Sequence, residues 1–151
     1  MKKQGTHIAF TAGTGCLVFI DLVAFLLRAN LKLVDAESIP ILSKGSTFKL
    51  VLFVSFPNRE DALALPLFEG LHQITQAKGL SNFSLHVRIS SEQKQGRWDL
   101  DFIEQQLDKF SRKKKRDEEL AKVYVCGPPP MNEVFDRALT GMVQRGELGR
   151  E

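Results

Sequence analysis

The sequence predicts an α/β fold: a three-layer αβα sandwich around a mostly parallel, open sheet, formed by residues 1–151 as a single domain. Three observations carry this. Apolar, β-branched runs alternate with helical runs, strand then helix, four times along the chain. The second such run, residues 48–55, is apolar almost without interruption, which marks a strand covered on both faces. The third, residues 83–90, sets Phe83, Leu85, Val87 and Ile89 against Ser84, His86, Arg88 and Ser90, which marks a strand with one wetter face, towards a sheet edge.

Taken in order, residues 1–5 are a lead-in and residues 7–11 the first strand. Ala12-Gly13-Thr14-Gly15 forms a turn into a helix over 16–29 that is apolar nearly all round and is expected to lie deep against the sheet. Residues 30–47 make a long connection interrupted by Pro40 and Gly45, with a short extra element near 39–42. Pro57 and Asn58 end strand two, and a first turn over 60–64 leads to a helix from Pro66 to Lys78, with Gly79 as its C′ residue. After strand three, Gly96 and Trp98 close a polar loop, with Trp98 read as a packing residue. Asp99 then caps a helix over 100–110 whose inner stripe is Ile103, Leu107 and Phe110. The basic run 112–116, followed by Asp117, Glu118 and Glu119, reads as a solvated loop. Residues 121–126 form a fourth strand, expected to be buried. Pro128 and Pro129 fix φ and remove amide donors, so the last helix is expected to open at Pro130 or Met131 and to run to about Arg145.

With 43% hydrophobic residues, 26% charged residues and a net charge of +3, the chain has material for one core, and nothing in its charge implies nucleic acid. Cys16 and Cys126 lie far apart, with no CxxC and no histidine pattern nearby. That suggests neither a disulfide framework nor zinc, and it favours a reducing compartment. His7, His72 and His86 have no partners at ligand spacing, so no metal site is read. Residues 8–27 carry Asp21 as their only charge, close to a transmembrane length, but Gly13, Thr14 and Gly15 divide them into strand and helix. No membrane span and no signal peptide are therefore expected.

In an open parallel sheet, ligands bind beyond the carboxyl ends of the strands, and two unusual loops fall there. The glycines of Gly13-Thr14-Gly15 let backbone amides approach an anion, Thr14 adds a hydroxyl, and the first helical turn carries positive partial charge. Such a turn is equally compatible with no ligand, and it lacks the full G-x-G-x-x-G spacing. Near the other end, Cys126-Gly127-Pro128-Pro129-Pro130-Met131 holds a thiol at the end of strand four beside a stiff edge. Beyond strand two, Ser55 and Arg59 are candidates for holding a ribose 2′-phosphate, although Arg59 reads equally as a solvated residue near a helix start.

The two loops together resemble the pyridine-nucleotide domain of the ferredoxin–NADP reductase superfamily, which includes cytochrome b5 reductases, nitrate reductases, ferric reductases and NADPH oxidases. The resemblance runs from His7 to about Gln144, and the Cys-Gly-Pro-Pro-Pro-Met run looks especially like the cytochrome b5 reductase branch. It implies a Rossmann-like sheet, with the final strand of the family's C-terminal domain truncated. It implies that Gly13, Thr14 and Gly15 meet the dinucleotide phosphates, that Cys126, Gly127 and Pro128 border the nicotinamide, and that Pro129 and Met131 shape the loop. In that role Cys126 orients the ring for hydride transfer to a flavin and does no covalent chemistry. The cofactors implied are NADH or NADPH, undecided between them, and FAD on a separate domain of the same parent chain. A haem or iron acceptor and a position on the cytoplasmic side, with a parent open to membrane attachment, follow from the same resemblance.

Three departures stand beside it. Val18 occupies the place of the proline in the family's GTGxxP. The Arg-x-Tyr-Ser/Thr flavin motif has no counterpart, the lone tyrosine being Tyr124 in strand four. The family's last strand and terminal aromatic residue do not follow the final helix. The expectation is therefore a domain excised from a longer reductase. A docking or regulatory module without catalysis, or a general phosphate-ligand-binding α/β protein, are the alternatives.

Overall fold

A computed structural model of the chain describes residues 4–35, 43, 45–92, 98–111 and 119–148. The expected element near 39–42, Gly96 and the basic run 112–116 lie outside them. Strands β1 (Thr6–Ala12), β2 (Lys49–Phe56), β3 (Phe83–Ile89) and β4 (Leu120–Cys126) form one all-parallel sheet in the order β3-β2-β1-β4. Helices α1 (Ile20–Asn30), α2 (Leu65–Ala77), α3 (Leu100–Phe110) and α4 (Pro129–Gln144) cover its two faces. This is the α/β architecture the sequence predicts.

Strand alternation divides the core in two. Ala9, Leu50, Leu52, Val54 and Phe83 point to the side of α1 and α2, where they meet Val23, Leu26, Phe68 and Leu71. Ile8, Phe10, Val51 and Phe53 point the other way, onto Ile103 and Leu107 of α3 and Phe135 and Met142 of α4. Each fully buried Leu, Ile or Phe contributes roughly 1.5–3 kcal/mol, so burial on both faces of β1 and β2 fixes their register more firmly than strand propensity does. On the first side a partly buried amide pair ties α1 to the start of β3: Asn82 Nδ2 donates to Asn30 Oδ1 (2.8 Å), and Asn30 Nδ2 donates to Thr75 Oγ1 (3.1 Å).

Several elements begin or lie differently from expectation. The segment after β1 starts as a 3-10 helix, Gly13–Phe19, and becomes α-helical only at Ile20. The stretch Gly13–Asn30 is long and apolar enough to cross a membrane by length and composition. It is nonetheless laid along the sheet, with Cys16, Phe19, Val23, Leu26 and Asn30 buried and Val18 exposed, so only one face is deep. β4 is an edge strand among the described residues, and most of it is half-buried rather than buried, because its outer neighbour position holds no described strand.

At the last helix, α4 opens at Pro129, earlier than expected. The first helical turn has no acceptor for its amides, so Pro129 and Pro130 forfeit nothing there. Pro128, extended at φ −64° and ψ 155°, supplies the carbonyl that accepts from Met131 N (2.9 Å) and Asn132 N (3.2 Å). Asp99 caps α3 as expected, its side chain accepting from Phe102 N at 2.8 Å, and Gly79 leaves α2 with φ +62°.

Candidate functional site

β1 sits where strand order reverses, with β2 on one side and β4 on the other. The crevice above the carboxyl ends of these strands is where such sheets take ligands, and here it is a cavity of about 880 Å³. Its wall is built by Ala12, Gly13, Thr14 and Gly15 after β1, Ser55, Phe56 and Pro57 at the end of β2, and Arg88 and Ser90 at the end of β3. Trp98, ahead of α3, and Cys126, Gly127, Pro128, Pro130, Met131 and Val134 complete it.

Three glycines make the close approach of the two loops possible. Gly13 has φ +54°, a left-handed conformation that a side chain would strain. A Cβ on Gly15 would overlap the Cys126 carbonyl and stand 3.2 Å from the Cys126 sulfur. A Cβ on Gly127 would meet the Met131 sulfur at 2.5 Å and the Ala12 methyl at 3.3 Å. The result is a floor of bare backbone between the ends of β1 and β4, with the unpaired amides of the first helical turn at its rim. That is a cradle of the kind a pyrophosphate needs.

The Cys126 thiol lies half-buried on this wall, while Cys16 is buried beneath the turn and donates a weak hydrogen bond to the Gly13 carbonyl at 3.2 Å. Burial pushes the Cys16 thiol above its ordinary range, helped by the neighbouring Cys126. Asn132 Nδ2 donates to the Gly127 carbonyl at 3.1 Å and so ties the start of α4 back to the strand end.

On the β2–β3 side, Arg88 Nη1 donates to Ser55 Oγ at 3.2 Å. Arg59, in contrast, does not line the cavity. Its guanidinium makes two hydrogen bonds to Glu92, from Nε at 2.6 Å and from Nη2 at 3.1 Å, and Glu69 stands 3.9 Å away. Glu92 raises the Arg59 pKa further, by hydrogen bond first and charge second.

The structure thus brings Gly13, Thr14, Gly15, Ser55, Cys126, Gly127, Pro128 and Met131 onto one wall. Pro129, the exposed first residue of α4, does not line it, and Arg59 is engaged elsewhere. Sequence reasoning missed Arg88 and Ser90. The signal was available: both lie on the wetter face of strand three at its carboxyl end. Trp98 does pack, stacked on Phe102 (5.9 Å, 5°) and edge-on to Phe10 (5.8 Å), but it also borders the cavity.

The chain is an open, parallel α/β domain that carries a glycine turn and a thiol–proline strand end at the crevice where such sheets take ligands. More particularly, its fold is like that of solved reductase structures, a likeness of fold alone at these identities. It is similar to the cytochrome b5 reductase domain of Ulva prolifera nitrate reductase, with a TM-score of 0.57 and 19% identity over 93% of this chain and 45% of that one. It is similar also to a point mutant of ferredoxin-NADP+ reductase from Plasmodium falciparum in complex with 2′P-AMP, with a TM-score of 0.60 and 17% identity over 93% of this chain and 49% of that one. The chain spans about half the length of these solved structures. No protein-family model and no curated protein sequence matches it.

Proposed function

We propose that the chain is the nicotinamide-dinucleotide-binding domain of a flavin-dependent reductase, working with an FAD-binding domain of the same parent chain. The observation that carries this reading is the meeting of Gly13, Gly15, Cys126 and Gly127 on one cavity wall. The residues fit the group. The glycine floor admits a pyrophosphate to the first-turn amides, and Thr14, exposed beside it, offers a hydroxyl. Cys126, Gly127 and Pro128 form an apolar, rigid edge suited to the flat nicotinamide ring, held in place by Met131 and by the Asn132 bond to Gly127.

When bound, NAD(P)H supplies the hydride. The chain's own contribution is to orient the ring and to limit its movement, work that positioning alone can perform. Arg88 and Ser55, rather than Arg59, form the polar corner for the ribose end. A guanidinium paired with a hydroxyl suits a 2′-phosphate, so the reading favours NADPH over NADH. The flavin, and a haem or iron acceptor beyond it, belong to the rest of the parent.

Trp98 is the lone tryptophan and borders the cavity, so it reports binding directly. Titration with NADPH is expected to quench its emission saturably, with NADH binding more weakly. Emission that stays constant up to millimolar NADPH, together with no heat of binding in calorimetry, would overturn the reading.

A further inference from the structure

We infer that Cys16 and Cys126 are an oxidisable thiol pair that closes to an intramolecular disulfide, tying the glycine turn to the end of β4. The two residues are far apart in sequence, but the sheet brings them to the same place. Cys126 is paired in register with Thr11, near the end of β1, and Cys16 lies in the helical turn that follows.

They also share one face. Tyr124 packs into the cluster that contains Cys16, its ring 5.7 Å from that of Phe19. Two residues further along the strand, Cys126 points to the same side. Its sulfur would stand 3.2 Å from a Cβ on Gly15, the chain neighbour of Cys16. A disulfide needs Cα atoms about 4.4–6.8 Å apart, and the backbone contact of Gly15 with the Cys126 carbonyl sets the chain neighbour of Cys16 directly against Cys126. Forming it asks the Cys16 sulfur to rotate away from the Gly13 carbonyl, a weak bond of 3.2 Å. The charge coupling of the two thiols agrees with this proximity.

The two thiols divide the chemistry between them. Cys126 is half-buried on the cavity wall and open to a small oxidant, whereas Cys16 is 1% exposed. With a hydroperoxide as oxidant, the Cys126 thiolate attacks one peroxide oxygen, the O–O bond breaks, and the other oxygen leaves as hydroxide or alkoxide and takes up a proton. The resulting sulfenic acid is attacked by the Cys16 sulfur, which gives up its proton, and the S–O bond breaks to release water. The pair loses two electrons and the peroxide gains them. A consequence, which rests on the nucleotide reading, is that a bound nucleotide covers Cys126 and slows the reaction.

The test is hydrogen peroxide treatment of the whole chain. The expected result is a monomer lighter by two hydrogens, with no free thiol, a cross-linked peptide pair containing positions 16 and 126, and reversal by dithiothreitol. In Cys16→Ser the Cys126 sulfenic acid persists and is trapped by dimedone. Intermolecular dimers, or sulfenic acid accumulating at Cys126 as fast in the native chain as in Cys16→Ser, would overturn the pair. A cross-link that forms at the same rate with and without NADP+ supports the pair and counts against the nucleotide site instead.

Discussion

Gly15 and Cys126 are in backbone contact: the end of β4 lies so close to the turn after β1 that a methyl group on Gly15 would overlap the Cys126 carbonyl. This contact joins the two halves of the candidate site. It also explains why a glycine must stand there although its own backbone is unstrained.

Gly13 and Gly15 are therefore expected to respond differently to the same substitution. Gly15→Ala forces backbone apart and is expected to cost about 2–3 kcal/mol, at the upper end of overpacking effects. Gly13→Ala meets open space and strains only its left-handed φ, costing about 1 kcal/mol. Urea denaturation of the two variants measures both. Equal losses would contradict the packing account.

Arg88 and Arg59 separate two ideas about nucleotide choice. Arg88→Ala is expected to weaken NADPH by about tenfold or more, the scale of a lost charge-assisted hydrogen bond, and to change NADH little. Arg59→Ala should leave both affinities and the unfolding midpoint where they are, since its guanidinium is held at the surface by Glu92. Calorimetric titration decides. A larger NADPH loss in the Arg59 variant would reverse the assignment.

The contrast shows what the sequence carried and what it did not. The parallel sheet, the edge position of β3, the Asp99 cap and the two special loops were all legible, because periodicity and turn chemistry are local. The engagement of Arg59 away from the cavity was not, since it turns on Glu92, a residue 33 positions along the chain whose pairing with Arg59 only the fold creates. The half-buried character of β4 was hidden in the same way. Val123, Tyr124 and Val125 read as a core strand, and their exposure depends on which strand lies beside them. The start of α4 was misplaced for a different reason, because prolines that break a helix interior are harmless in its first turn.

His86 makes stability depend on pH. Its ring stacks on Phe53 (4.5 Å, 13°), its buried Nε2 has no hydrogen-bond partner among the described residues, and its pKa is lowered to about 4. Burial is the first cause, followed by the charges of Lys109, His72 and Lys49. The unfolded chain takes up a proton near the ordinary value of about 6.5 while the folded one does not, so stability holds above that pH and falls between 6.5 and 4. Allowing for solvent screening of a half-buried ring, the loss is on the order of 1–2 kcal/mol. His86→Phe should flatten the curve in this window, and an unchanged slope would show that other groups set it.

The most direct measurement is a residue-resolved titration of the isotope-labelled chain with NADPH by amide NMR. The account predicts saturable shifts concentrated at Gly13, Thr14, Gly15, Cys126 and Gly127, with Arg88 moving for NADPH and less for NADH. Shifts absent from both loops at millimolar nucleotide, or confined to surfaces away from the ends of β1 and β4, would contradict it.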